Sequence, residues 1–355
     1  SWARHNEELT SGWNNDKFAY FLDLQYFHED GWRDHSESGV FNGLGTLSWR
    51  TDDGQLNLTL AGANSSLIGN GAIPVELEAI DRKAVFTHPD KTSNHFFLSA
   101  LDGNLWLNDA TELAGNMYYR SNRIDSVNGD GSEFEECENM PGFLCEEGED
   151  EIVEDVYGNP VQATDEVEGG TLNTSETDQW SFGLAFQSAF NQSLWGHDNQ
   201  FVIGTSYDLS QVDYSADTEL GSLTDERGVD GSGILVDESR VRLDTTTHSF
   251  GIFFTEVFNV TDKLAVNVAG RYNHVEIDMQ DGYGTSLTGK HKFDRFNPAA
   301  GLTYTFMPEL NFYGGYSESS RVPTPMELSC ADPDDPCKLP NAFIADPPLD
   351  QVVAK

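Results

Sequence analysis

Residues 179 to 187 carry Trp180, Phe182, Leu184 and Phe186 on every second position, separated by Gln179, Ser181, Gly183, Ala185 and Gln187. Successive side chains of an extended strand point to opposite faces, so this segment has one large apolar face and one small or polar face. The same period recurs in Phe18, Tyr20, Leu22, Leu24 and Tyr26 against Ala19, Asp23 and Gln25. It recurs again in Leu56, Leu58 and Leu60 against Gln55, Asn57 and Thr59, and in Leu264, Val266, Val268 and Tyr272 against Asn267, Arg271 and Asn273. Tyr20, Tyr26, Trp49, Tyr207 and Tyr272 stand near strand ends. Two aromatic girdles at the faces of a bilayer explain that placement, whereas the core of a soluble sandwich favours tightly fitting aliphatics.

The connections alternate in length. Short turns are expected at 13–16, 52–54, 104–109, 191–199, 259–262 and 307–309, with long loops at 30–37, 68–94, 122–176, 214–244, 279–292 and from 321 onward. Asp52-Asp53-Gly54 and Met307-Pro308-Glu309 are ordinary turn chemistry. Short turns on one side and long loops on the other are the mark of an outer-membrane barrel, the short set being periplasmic. The expected fold is all-β: an antiparallel up-and-down transmembrane β-barrel of about twelve strands.

Composition removes whole classes of function. The 355 residues hold 60 Asp plus Glu against 20 Lys plus Arg, a formal charge of −40, which repels nucleic acid. No run reaches the roughly 18 apolar residues that a membrane helix needs, but barrel strands are apolar only at alternate positions and evade that test. No GxSxG elbow, HExxH or phosphate-cradling loop occurs, so no enzymatic site is expected. Cys137 with Cys145 and Cys330 with Cys337 sit in polar stretches and read as two short-range disulfides; zinc is the rival, without CxxC spacing or a nearby His. Disulfides place the chain in an oxidising compartment. Between Asp130 and Asp155 lies a dense acidic run, for which a solvated, self-repelling surface is expected and a calcium site is the alternative. The chain opens at Ser1 without a leader, which reads as a fragment or a mature chain.

Three stretches resemble TonB-dependent outer-membrane receptors. They are Glu29-Asp-Gly-Trp-Arg-Asp-His-Ser36; Arg295-Phe-Asn-Pro-Ala-Ala-Gly-Leu-Thr-Tyr304 continued by Leu310-Asn-Phe-Tyr-Gly-Gly-Tyr-Ser-Glu-Ser-Ser-Arg321-Val-Pro-Thr-Pro-Met-Glu327-Leu; and Cys330 to Cys337 with Leu339-Pro-Asn. The resemblance covers nearly the whole chain, and the second stretch is its most specific part. It implies that residues 1–355 are part of a receptor barrel domain of 22 strands, with no plug domain and no TonB box in the stretch at hand. It further implies a Gram-negative outer-membrane location amid lipid and lipopolysaccharide. The implied function is TonB-dependent uptake of a scarce extracellular ligand, most of all a ferric siderophore or ferric citrate-type chelate. The TonB-ExbB-ExbD complex would supply energy through the plug. Haem, cobalamin or an oligosaccharide are alternative cargoes. A passive porin-like barrel is the alternative outside the family, and a secreted soluble adhesin or enzyme is a third. No cofactor is implied.

On a chain this acidic the informative residues are cations and aromatics that can meet an anionic chelate: Trp32, Arg33, His35, Arg82, Lys83, His88, Tyr118, Arg120, Arg271 and Arg321. Each has a structural competitor. Arg120 and Arg271 alternate toward the lumen and could pair with carboxylates on adjacent strands. Arg33 and Arg321 lie inside the family-like motifs, where a folding role competes with ligand choice. Trp32 and Tyr118 could stack on a planar ligand or belong to a girdle. His35 and His88 could ligate haem iron, which lone loop histidines seldom do.

Overall fold

A computed structural model of the chain describes residues 2–146, 151–329 and 349–355. Its main body is one antiparallel sheet. The first strands are β1 (His5–Asn14), β2 (Phe18–Glu29), β3 (Ser38–Arg50) and β4 (Gly54–Ile68), followed by the one-turn helix α1 (Val75–Ile80). Then come β5 (Asp90–Asn108), β6 (Thr111–Gly131), the short β7 (Phe134–Glu136) and β8 (Leu144–Glu146), β9 (Gly170–Asn191) and β10 (Asn199–Leu223). The rest comprises β11 (Val229–Leu235), β12 (Val241–Thr261), β13 (Leu264–Asp281), β14 (Gly289–Met307), β15 (Leu310–Ser317), β16 (Ser319–Arg321), α2 (Pro325–Ser329) and β17 (Val352–Ala354). The hydrogen-bonded order is β1-β2-β3-β4-β5-β6-β9-β10-β12-β13-β14-β15, with β11 beside β10. Sequence neighbours pair throughout, as an up-and-down meander requires, and the sheet is open, with β1 and β15 as its edges.

The alternation does what the sequence expects. Leu9, Leu47, Leu60, Leu184, Ile203, Ile252 and Leu302 are large apolar side chains left exposed on the outer face, a surface that is tolerable only against lipid. Trp13, Phe18 and Trp49 lie at the short-turn end of this face, and Tyr26, Tyr207 and Tyr272 higher up. Above the upper aromatics the outer face becomes charged: Arg123 bridges Asp125, Glu176 and Asp178, and Lys292 meets Glu276 at 3.2 Å. The change marks where the strands leave the bilayer and continue into water.

The inner face is a net of polar contacts between strands. Thr10 donates to Asp23 at 2.8 Å, Asn57 to Asp102 at 2.8 Å and Asn104 to Glu112 at 2.6 Å. Among the described residues, packed apolar cores occur at the extracellular end. Leu144, Val153, Val161, Val167, Leu220 and Val236 form one. Leu243, Val275, Ile277, Met279 and Leu328 form a second, in which α2 lies against the upper part of β13, and Ala216 with Val241 a small third.

Two expectations are corrected. The loops are shorter than the sequence reading because strands keep pairing beyond the apolar belt: β6 runs to Gly131 and β9 starts at Gly170, their register unbroken from Gly131↔Gly170 down to Thr111↔Phe190. Backbone pairing is as good in water as in lipid, so loss of apolar alternation does not end a strand. Likewise β5 continues to Asn108, which tightens the turn expected at 104–109. The acidic segment after Gly131 keeps Glu133, Glu135, Glu136 and Glu138 exposed to solvent. Its valines and Leu144 bury against β10, and the Cys137–Cys145 disulfide closes it. The Cys330–Cys337 pair lies outside the described residues.

Candidate functional site: the extracellular loop cluster

The loop between β2 and β3 turns at Gly31, whose φ of +74° suits a residue without a side chain, and a Cβ there would collide with Ser36. Trp32 and Arg33 follow. The Arg33 guanidinium donates to the carbonyl of Ala84 at 3.0 Å and of Gly71 at 2.9 Å, so it binds the β2–β3 loop to the β4–β5 loop. Two further contacts reinforce this: Asp34 N–H donates to Lys83 O at 2.9 Å, and Asn70 Nδ2 donates to His35 O at 3.1 Å. Arg82 lies over the exposed Trp32 ring at 5.6 Å, with Arg33 at 5.9 Å.

Six residues selected from the sequence, namely Trp32, Arg33, His35, Arg82, Lys83 and His88, therefore occupy two interlocked loops. The His35 and His88 rings stack at 3.9 Å with 16° between planes. Imidazole lone pairs lie in the ring plane, so stacked rings cannot converge on one iron. Among the described residues no group of three or more His, Cys, Asp or Glu could hold a metal.

The cluster reaches further round the rim through a residue that sequence reasoning missed. Arg227 lies over the Phe86 ring at 4.2 Å and donates to the Phe86 carbonyl. His88 N–H donates to Arg227 O and Val229 N–H to His88 O, each at 3.1 Å. Asp237 N–H donates to Glu154 O at 3.1 Å, and Arg240 pairs with Asp217 at 3.1 Å while stacking over Tyr283 at 4.0 Å. Loop to loop, the mouth is laced from Trp32 to Tyr283. Arg227 and Arg240 carry no local sequence signal; only the meeting of distant loops gives them partners.

The remaining candidates lie apart from this cluster. Tyr118, on the inner face, donates to Asp208 at 2.8 Å. Arg120 donates to Ser181 at 3.2 Å, and Arg271 to Asn273 at 2.6 Å and Ser206 at 2.9 Å. The carboxylate partners expected for both arginines are replaced by hydroxyls and an amide, because glycines and small polar residues line the neighbouring strands there. Arg321 is used in folding: its guanidinium grips Glu327 at 2.8 Å through both nitrogens. Thr324 and Glu327 cap α2 reciprocally, with Pro325 at the first helical position. The pair with Arg321 and the Thr324 N–H hold the Glu327 carboxyl down to about 2.

A sheet with a lipid-facing exterior, a polar interior, short turns at one end and laced loops at the other defines an outer-membrane β-barrel. The chain belongs to the TonB dependent receptor-like β-barrel family, whose profile matches residues 2–353. Members are receptors and transporters of the Gram-negative outer membrane, not enzymes, which sets aside the soluble alternative. No curated protein matches the chain by sequence. Among solved structures it is similar in fold to the ferric citrate transporter FecA, unliganded, at a TM-score of 0.67 and 11% identity over 90% of this chain and 42% of that one. It is equally similar to the ferric-catecholate import receptor Fiu from E. coli K12, open form, at 0.67 and 12% identity over 92% and 54%. The ferripyoverdine receptor of Pseudomonas aeruginosa, bound to ferripyoverdine, matches at 0.62 and 14% over 90% and 41%. The chain thus spans about half the length of these proteins.

Proposed function

We propose that this chain supplies roughly half of the barrel wall of a receptor that captures an anionic ferric chelate at its extracellular mouth for TonB-powered uptake. The observation that carries the reading is the grouping of Arg33, Arg82, Lys83 and Arg227 with the exposed Trp32 in loops that hold one another, on a chain of net charge −40. Arg33 and Arg227 spend donors on carbonyls and set the loop shape. Arg82 and Lys83 are exposed and ready for carboxylate or catecholate oxygens, with Trp32 as a face for a planar ligand. Tyr118, Arg120 and Arg271 would line the path below the mouth. Energy coupling through TonB would use a plug that belongs to the rest of the receptor.

The test is a fluorescence titration of the complete receptor with ferric citrate, a ferric catecholate and haem, repeated with Arg82→Ala/Lys83→Ala. Binding of a ferric chelate weakened tenfold or more by the substitutions supports the reading. Undiminished chelate binding, or haem as the sole ligand, sinks it.

A further inference from the structure

The inner wall holds two opposite charges that stand close without meeting. From β13, the Arg271 side chain lies across Gly251 of β12, where a Cβ would collide with its Nη2. That nitrogen donates to Ser206 Oγ on β10 at 2.9 Å, and Nε donates to Asn273 Oδ1 at 2.6 Å, with Cζ 5.6 Å over the Phe253 ring. From the other side, Tyr118 on β6 crosses Gly183 of β9 and donates to Asp208 Oδ1 on β10 at 2.8 Å. Two long side chains thus converge on β10 at Ser206 and Asp208, which share a face roughly 7 Å apart at two residues of strand rise. The place lies above the turn at 262–263 and below the loop cluster at the mouth.

Each charge is held by neutral partners. Among the described residues neither Arg271 nor Asp208 forms an ion pair, and Arg271 Nη1 and Asp208 Oδ2 enter no hydrogen bond. Arg271 is exposed to the lumen and Asp208 half-buried. Opposite charges on one sheet face ordinarily gain by pairing, but two hydrogen bonds pin the guanidinium, and turning it toward Asp208 would break both. The wall therefore presents a fixed cation beside a fixed anion, each with one free edge. The guanidinium edge suits a carboxylate, and the Asp208 oxygen accepts from a hydroxyl or N–H beside it. A ligand whose outer atoms are all anionic oxygens meets repulsion at Asp208.

We propose that Arg271 and Asp208 form a second ligand station on the lumen wall, specific for a carboxylate flanked by a hydrogen-bond donor, of which an α-hydroxycarboxylate is the simplest case. Tyr118, Ser206 and Asn273 are its positioning residues. The inference rests on the uptake reading in taking the lumen as the ligand's route, and it narrows the cargo to chelators that carry such a group. A tris-catecholate, whose oxygens all bind iron, does not fit.

The experiment treats the complete receptor with phenylglyoxal, an arginine reagent, and follows modification of Arg271 by peptide mass spectrometry with L-malate, succinate or catechol present at equal concentration. The exposed Arg50 serves as the reference. Malate should protect Arg271 about fivefold more strongly than succinate, the effect of one hydrogen bond, and catechol should not protect it. Asp208→Asn puts a donor where the free acceptor stood and should bring malate down to the level of succinate. Equal protection by malate and succinate in the wild type would overturn the proposal. So would an Arg271 that the reagent does not reach without added ligand, since another part of the receptor would then already occupy it. Chelate binding undiminished by the substitutions at Arg82 and Lys83 would sink the reading of the mouth and leave this protection pattern as it is.

Discussion

Tyr118 on β6 donates to Asp208 on β10 at 2.8 Å by reaching across β9 over Gly183. The three residues are register partners, and a Cβ at Gly183 would overlap the Tyr118 ring and approach Asp208. The glycine is thus the condition for a contact between strands that are not neighbours, and the phenol covers the backbone that the glycine leaves bare. Gly183→Ala should cost about 1–3 kcal/mol, the range for overpacking, and Tyr118→Phe about 1 kcal/mol for the lost bond. Denaturant unfolding of the reconstituted barrel reads both; equal stability of Gly183→Ala and wild type would refute the arrangement.

The hydrogen bonds of the Arg33 guanidinium all go to carbonyls of the β4–β5 loop. Removing it should therefore free that loop and leave the sheet intact. Arg33→Ala is expected to expose residues 72–83 to proteolysis at least tenfold faster, with no shift in the barrel's melting temperature. Arg33→Lys should not rescue, because a point charge cannot reproduce the planar fork.

Arg82 and Lys83 predict a salt signature. If they meet an anionic chelate, each single Ala variant should weaken binding about tenfold, or ~1.4 kcal/mol. The ionic-strength dependence of affinity should flatten with each charge removed. Titration at low and high salt checks this.

The Cys137–Cys145 bridge closes a separation of eight residues, a loop for which chain entropy assigns about 2–3 kcal/mol. Reduction should unfold the small acidic unit that packs on β10 and leave the barrel hydrogen bonds in place. Hydrogen exchange should accelerate at Leu144, Val153 and Val161 and stay unchanged in the lower half of β9. Protection of those three amides in the reduced protein would contradict this.

The Glu327 carboxyl is held at about 2 against an ordinary 4.5. A depressed carboxyl pKa stabilises the fold above the ordinary value and loses that contribution as pH falls toward the depressed one. Docking of α2 onto β13 should accordingly be complete above pH ~5 and fade between about 4 and 2. Glu327→Gln should show weakened docking at every pH. Amide exchange at Leu328 provides the measure.

Strand number, membrane topology and the two aromatic girdles were legible in the sequence because period-two alternation is a local property, set by the pleat of each strand and by the medium on either side. Trp180, Phe182, Leu184 and Phe186 declare their face with no knowledge of a partner. Loop ends were less legible: above the bilayer β6, β9, β10 and β12 go on pairing in water, where no apolar pattern records it. The candidate site was legible as a set of residue types and not as a set of contacts. Arg33 and His88 stood out as a scarce cation and a loop histidine, yet that the first would be spent on Ala84 and the second stacked on His35 depends on loops brought together from distant strands. Arg227, Arg240 and Asp208 gave no sign at all, since a side chain whose partner lies dozens of residues away acquires its role only when the sheet sets the register. The sequence by itself determined which surfaces face lipid and which face water; the tertiary structure decided which cations are committed to holding loops and which remain exposed, because that depends on distances no local pattern encodes.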